Sequence, residues 1–207
     1  METLLQVKTS IFSGNGASSR LTDQFVADWQ AQHPHGRVVV RDLASAPIPH
    51  LTAERFLGFS TTEPRTPEQE AALALSDQLI AELRDADVIV LGLPLYNFGI
   101  PSTLKAYFDH IARAGVTFKF TSQGAVGQLL GKRVIVVSTR GGVSAGTPSD
   151  TQTAYVRDFL GFLGMTDVEF IYAEGLSMSA HKEQGLSSAA AALNRLAAPL
   201  EVPALVA

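Results

Sequence analysis

Cysteine is absent from all 207 residues, which removes disulfides, thiolate metal sites, iron–sulfur clusters and cysteine nucleophiles together. A basic surplus is absent as well. The net charge is −4, whereas nucleic acid calls for a basic face, so no nucleic-acid partner is expected. No apolar run nears the roughly 20 residues that span a bilayer, and residues 1–8 lack a basic segment leading into a long apolar one, so neither membrane nor secretion is expected. His33, His35, His50, His110 and His181 show no i,i+4 spacing with a second ligand in a metal motif, so no metal is expected. Charged residues make up 17% and apolar residues 46%, a globular rather than a disordered balance. These exclusions leave a soluble cytoplasmic chain, expected to fold as one domain over residues 1–207.

What is present is an alternation. Apolar runs at 4–11, 37–41, 88–93, 133–138 and 168–172 are separated by helical stripes. Leu21, Phe25 and Trp29 make the first stripe, and Leu75, Leu79 and Leu83 the second. Leu104, Tyr107, Phe108 and Ile111 make the third, Tyr155, Val156, Phe159, Leu160 and Leu163 the fourth, and Leu186, Leu193, Leu196 and Leu200 the fifth. Strict βα alternation implies a parallel sheet with right-handed crossovers. Five strands of this length suggest a doubly wound, flavodoxin-like α/β sheet in the order 2-1-3-4-5, with helices on both faces. Thr66-Pro67-Glu68-Gln69 combines a capping box with proline at the first helical position, so a helix is expected to start near Pro67. Residues 44–65, with Pro47, Pro49 and Pro64, form a long excursion expected to wall a site or a subunit contact. Residues 115–127 alternate weakly through Val116, Phe118 and Phe120 and suggest a small hairpin.

Three strand-to-helix loops carry unusual chemistry. The run Val88-Ile-Val-Leu-Gly-Leu-Pro94 leads into Leu95, Tyr96, Asn97 and Phe98. Ligands of open α/β sheets sit past the carboxyl ends of strands. Two aromatics flanking an amide suit a planar heteroaromatic ring with polar edges, such as a flavin. The first loop, residues 10–19, supplies Ser10, Gly16, Ala17 and Ser18 ahead of a helix, where free N–H groups and the helix dipole favour phosphate. The third loop, Thr139, Arg140, Gly141 and Gly142, lets a ligand approach the backbone closely. Arg140 there either offers charge to a ring edge or lies outward on the surface.

Two rival motifs overlap these loops. Gly14-x-Gly16-x-x-Ser19, with Asp42 ending the second strand, is a degraded dinucleotide fingerprint whose last position fits poorly. Gly142-Val143-Ser144-Ala145-Gly146 matches the serine-hydrolase elbow, with Asp167 and His181 following in triad order. Ser144, however, lies several residues past the strand, and Pro148 delays the next helix. Phe162 falls off its helix's main stripe beside Gly161 and Gly164, as an aromatic near a site or a dimer seam would.

Taken in this order, the segments resemble the FMN-dependent NADH-azoreductases, flavodoxin-like quinone and azo-dye reductases. The resemblance runs through Val40-Arg-Asp-Leu-Ala44, Leu73-Ala-Leu-Ser-Asp77, Leu95-Tyr-Asn-Phe98, Tyr107-Phe-Asp109, Ala112-Arg-Ala-Gly-Val-Thr-Phe118, Arg140-Gly-Gly142 and Phe159-Leu-Gly-Phe162. It implies a non-covalent FMN with its phosphate at Ser10 and Gly16–Ser18, its ring and ribityl chain against Leu95–Phe98, and its other edge along Thr139–Gly142. It also implies NADH or NADPH as donor, a quinone or azo acceptor, no catalytic side chain, and a homodimer in which Phe120 and Phe162 reach the neighbouring site. Gly16 and Ala17 replace a hydroxyl and a glutamine of the relatives, which shifts phosphate binding onto main-chain N–H groups. Thr139 keeps the hydroxyl of a serine, and Phe120 lacks that of a tyrosine. The alternative from another class is a flavodoxin-like electron carrier that binds FMN without turnover.

Overall fold

The computed structural model describes residues 1–197, so Leu200 of the last expected stripe lies outside the described residues. The aliphatic runs become β1 (Thr3–Lys8), β2 (Arg37–Asp42), β3 (Val88–Pro94), β6 (Arg133–Thr139) and β7 (Asp167–Ala173) of one sheet. Every pairing in it is parallel, and the order is β2-β1-β3-β6-β7. Among the described residues two strands stand outside that sheet, β4 (Phe118–Thr121) and β5 (Gly124–Gly127), which pair as an antiparallel hairpin where weak alternation suggested one.

Because successive side chains of a strand face opposite ways, the sheet feeds two cores. Leu5, Val7, Ile89, Leu91, Val134 and Val136 pack against α3 (Pro67–Asp85), α4 (Ser102–Ile111) and α5 (Thr151–Phe162). Leu4, Val88, Val90, Ile135 and Val137 pack against α1 (Ala17–Gln32) and α6 (Lys182–Ala197). β3, at the centre, is buried at every position, as a strand covered on both faces must be. Thr66 and Gln69 exchange capping-box hydrogen bonds at the start of α3, with Pro67 in its first turn.

Three local features differ from expectation. β1 stops at Lys8 instead of running to residue 11. There Thr9 Oγ1 donates to Gly92 O (2.7 Å) and Ser13 N donates to Ser10 O (3.0 Å), so the chain turns away from the ladder. β3 carries through Pro94, opposite Thr139, and the ladder is continued by Leu95 N donating to Thr139 O. The 44–65 excursion contains α2 (Ala53–Gly58), a helix too short to show a periodicity, capped by Thr52 Oγ1 accepting from Arg55 N. Phe59, just beyond it, meets the His110 ring edge-on (6.1 Å) and lies under the Arg113 guanidinium (5.3 Å), which moors the excursion to the end of α4.

Among the described residues no helix is long and apolar enough to cross a membrane. Parallel strands deliver all their carboxyl ends to one rim. β2 and β3 flank β1 on opposite sides, so the connections diverge at β1 and β3, where such sheets hold ligands.

Candidate active site

At that divergence lies an open cleft of about 380 Å³, walled by the loops after β1, β3, β6 and β7. Ligand pockets commonly have this size. Its lining includes Ser10, Gly16, Ala17 and Ser18 from the first loop, Leu95 and Tyr96 from the second, and Thr139, Arg140 and Gly141 from the third.

The floor is the start of α1. No side chain caps this helix, and Gly16 occupies the cap position in extended conformation. The N–H groups of a helix's first turn have no partner within the helix, so they and the dipole face the cleft's anion end. The Ser18 hydroxyl, on a residue only 1% exposed, has no hydrogen-bond partner among the described residues. A buried hydroxyl left unpaired costs about 1–3 kcal/mol, so a group that completes it is the natural complement. Ser10 Oγ sits 3.2 Å from Tyr96 Oη, which joins the first loop to the second, and it also accepts from Phe12 N (3.2 Å). A Cβ at position 16 would fall 2.1 Å from Ser10 Oγ, so glycine is what admits the Ser10 hydroxyl here.

The second loop is a reverse turn in which Tyr96 and Gly99 exchange main-chain hydrogen bonds of 3.1 and 2.9 Å. Its two central residues take positive φ, 48° at Asn97 and 62° at Phe98, the pattern of a type I′ turn. Asn tolerates this region, whereas a residue such as Phe pays about 1–2 kcal/mol for it. Asn97 lines an adjoining cavity of about 530 Å³ shared by Leu95, Tyr96, Ile11 and Ile100.

The third loop is stitched to the fourth: Leu176 N donates to Arg140 O and Ser177 N to Gly141 O, both at 3.0 Å. A Cβ on Gly141 would fall 2.7 Å from Ser177 Oγ, so the two loops approach closely at this seam. The Arg140 side chain does not lie outward on the surface. It is 1% exposed, bonded to Asp150 (2.7 Å) and Thr153 (2.9 Å), with Glu174 at 3.8 Å and the Tyr172 ring beneath. Its guanidinium is thus engaged within the loop, which it braces beside the cleft. Burial opposes ionisation of Asp150, but hydrogen bonds from Arg140, Gly146 N and Thr153 outweigh it and hold the carboxyl at about 2.

Both rival motifs fail on geometry. Asp42 accepts from Ser13 Oγ (2.6 Å), Ala44 N and Ser45 N, so it anchors the first loop, and it does not line the cleft. Burial alone would raise the Asp42 carboxyl, yet the hydrogen bonds from Ser13 and the two amides lower it. Ser144 follows the carboxyl end of β6, whereas Asp167 begins β7 beside Arg133, at the opposite end of the sheet. No triad forms, and the Ser144 hydroxyl accepts from Arg140 instead (3.1 Å).

Ten of the expected residues thus face the two cavities: Ser10, Gly16, Ala17, Ser18, Leu95, Tyr96, Thr139, Arg140 and Gly141 in the cleft, with Asn97 next door. Gly142 lies just outside the lining, its carbonyl accepting from Gly175 N. Phe98 is 70% exposed and lines neither cavity. Phe120 and Phe162 lie apart from the cleft, joined through Phe118 at ring distances of 5.4 and 4.4 Å. Phe12, Leu176 and Ser177 line the cleft without having been expected. The fourth loop was detectable by the same rule as the others, since Ser177 follows the carboxyl end of a strand.

This fold and rim define a flavodoxin-like protein, and the flavodoxin-like fold family model matches residues 2–197. The FMN-dependent NADH:quinone oxidoreductase of Cellvibrio japonicus is 57% identical over 190 residues, covering 91% of this chain and 95% of the relative. That of Azotobacter vinelandii is 47% identical over 199 residues, covering 95% and 100%. Among solved structures, an azoreductase from Bacillus anthracis superposes with a TM-score of 0.87 at 29% identity, covering 95% of this chain and 99% of that one. The chain belongs to the FMN-dependent NADH:quinone oxidoreductase family.

Proposed function

We propose that this chain holds FMN non-covalently in the cleft and uses NADH or NADPH to reduce quinones and azo compounds, donor and acceptor occupying one site in turn. The observation that carries this reading is the pairing of an uncapped helix start with the unpartnered, buried Ser18 hydroxyl, in a cleft that also offers the flat face of Tyr96. A terminal phosphate completes the first pair, and a ring system suits the second. Relatives that share about half this sequence are named for FMN, NADH and quinone.

FMN supplies the electron transfer when bound, and the protein supplies binding, orientation and electrostatics. Ser10, the N–H groups at Gly16–Ser18 and the Ser18 hydroxyl hold the phosphate. Leu95–Asn97 would support the ring and ribityl chain, and Thr139–Gly141 would border the opposite ring edge, where main-chain donors would stabilise developing negative charge. Among the residues lining the cleft there is no carboxylate or histidine, so no side chain there is assigned as acid or base. Phe120, 76% exposed on its hairpin, and Phe162 present an aromatic surface suited to the neighbouring site of a homodimer.

The test is a visible absorption spectrum of the purified protein. It is expected to be yellow, or to become so with added FMN, and to bleach when NADH is added without oxygen. Steady-state plots against quinone at several NADH concentrations are expected to be parallel. A colourless protein that takes up no FMN overturns the reading.

A further inference from the structure

Gln152, at the second position of α5, lines neither cavity, yet its amide is committed to the active-site rim. The side chain is 1% exposed. Nε2 donates to Pro94 O (3.0 Å) and to Gly99 O (3.2 Å), and Oε1 accepts from Ser138 Oγ (3.3 Å). One residue earlier, Thr151 Oγ1 donates to Phe98 O. The three carbonyls gripped in this way, of Pro94, Phe98 and Gly99, bracket the turn in which Asn97 and Phe98 take positive φ.

The grip extends to the third loop. Ser138 accepts from Arg140 Nε (3.1 Å), and the Arg140 guanidinium binds Asp150, the residue that caps α5. A buried chain, Arg140–Ser138–Gln152, therefore ties the turn after β3 to the glycine pair after β6. Burying a primary amide is unfavourable unless each of its groups is bonded. Here every bond made by the amide goes to the ends of strands β3 and β6 or to the turn itself, and none goes to the helix that carries it.

We propose that Gln152 and Thr151 are positioning residues: the first turn of α5 holds the Tyr96–Asn97–Phe98 turn in its left-handed form and sets its distance from Gly141. This rests on the reading of the cleft as an FMN site. Left-handed backbone is disfavoured at Phe98, so a released turn relaxes into other conformations. Apparent affinity then falls in proportion to the fraction of chains still competent, and a turn kept in about one chain in ten weakens FMN about tenfold.

The experiment compares wild type, Thr151→Val, Thr151→Ser and Gln152→Leu in two ways. Amide exchange of the FMN-free protein reads the Tyr96 and Gly99 N–H groups, and fluorescence titration reads FMN affinity. Thr151→Val and Gln152→Leu are expected to speed exchange at both amides and to weaken FMN about tenfold. Thr151→Ser, which keeps the hydroxyl, is expected to match wild type in both. Thr151 is exposed, so its pair of variants decides the matter if Gln152→Leu does not fold. Exchange and affinity within about twofold of wild type in Thr151→Val overturn the proposal, as does impairment of Thr151→Ser equal to that of the valine variant. Wild type that takes up no FMN defeats the cofactor reading instead, and the exchange comparison still judges the grip.

Discussion

Arg140 and Asp150 form an ion pair of 2.7 Å in which the guanidinium side chain is wholly buried and the carboxylate side chain is 5% exposed. The pair pins the whole connection 140–150, because Arg140 directly follows β6 and Asp150 caps α5. Removing one member of a buried pair strands the other and costs about 3–5 kcal/mol. Arg140→Met is therefore expected to lower the melting temperature by about 10 °C, using the usual 2–4 °C per kcal/mol for a chain of this length. Calorimetry on the FMN-free protein checks it. A drop below about 2 °C would show that the pair adds little beyond a hydrophobic filling of the same volume.

The same pair sets an acid limit. The Asp150 carboxyl lies at about 2 in the folded chain against an ordinary value of 3.8. A carboxyl lowered by folding contributes stability above its unfolded value and loses it as pH falls through the folded one. That contribution, about 2 kcal/mol, is expected to vanish between roughly pH 4 and pH 2. Denaturant melts of wild type and Asp150→Asn should converge over that interval. Curves that stay parallel down to pH 2 would remove Asp150 from the acid response.

Ser18 should trade stability against binding. Its hydroxyl is buried and unpaired among the described residues, so Ser18→Ala removes a polar group without removing a hydrogen bond seen there. The FMN-free variant is expected to melt no lower than wild type, with up to about 1 kcal/mol gained. FMN affinity is expected to fall about tenfold, the loss of one hydrogen bond to a charged group. Titration and melting are read on the same samples. Unchanged affinity with a lowered melting point would make Ser18 purely structural.

Asn97 combines a backbone role with a side-chain role, and two substitutions separate them. Glycine accepts positive φ without strain, whereas alanine does not. Asn97→Gly is expected to keep the turn and lose only the amide, and Asn97→Ala to lose both. Turnover with quinone should fall several-fold in the glycine variant and further in the alanine variant, where about 1 kcal/mol of strain is added. Equal, wild-type turnover in both would remove Asn97 from the site.

Phe120 contributes little to its own chain. It is 76% exposed and its ring meets that of Phe118 at 5.4 Å, so Phe120→Ala is expected to leave the monomer's fold intact. In a homodimer whose sites include this residue, KM for quinone should rise several-fold, since truncating a well-packed interface aromatic costs about 2 kcal/mol or more. Sedimentation should show wild type at twice the 22.1 kDa chain mass. Full activity from a wild type that sediments as a monomer would refute the shared site.

Most of the cleft was legible because a strand's apolar run and the small residues after it are written side by side. β3 shows this directly: its unbroken aliphatic run announces a covered strand, and Leu95 and Tyr96 follow at the rim. α2 was not legible, since six residues are fewer than two helical turns and leave no period to detect. Ser177 and Phe12 were missed for another reason. Both lie in loops past strand ends that the same rule marks, but which residue of such a loop faces the cleft depends on what stands across from it, as Gly141 stands against Ser177.

By itself the sequence determined the sheet strands and the longer helices, their parallel sheet and the rim at which ligands collect, because periodicity and turn chemistry act over a few residues. Only the tertiary structure decided where charge and strain reside. It turned Arg140 inward onto Asp150, set Asp167 at the opposite end of the sheet from Ser144, and fastened the left-handed turn at Asn97 and Phe98 to Gln152, more than 50 residues away. Such pairings depend on which strand ends become neighbours when the sheet closes up, and no local stretch of chain encodes that.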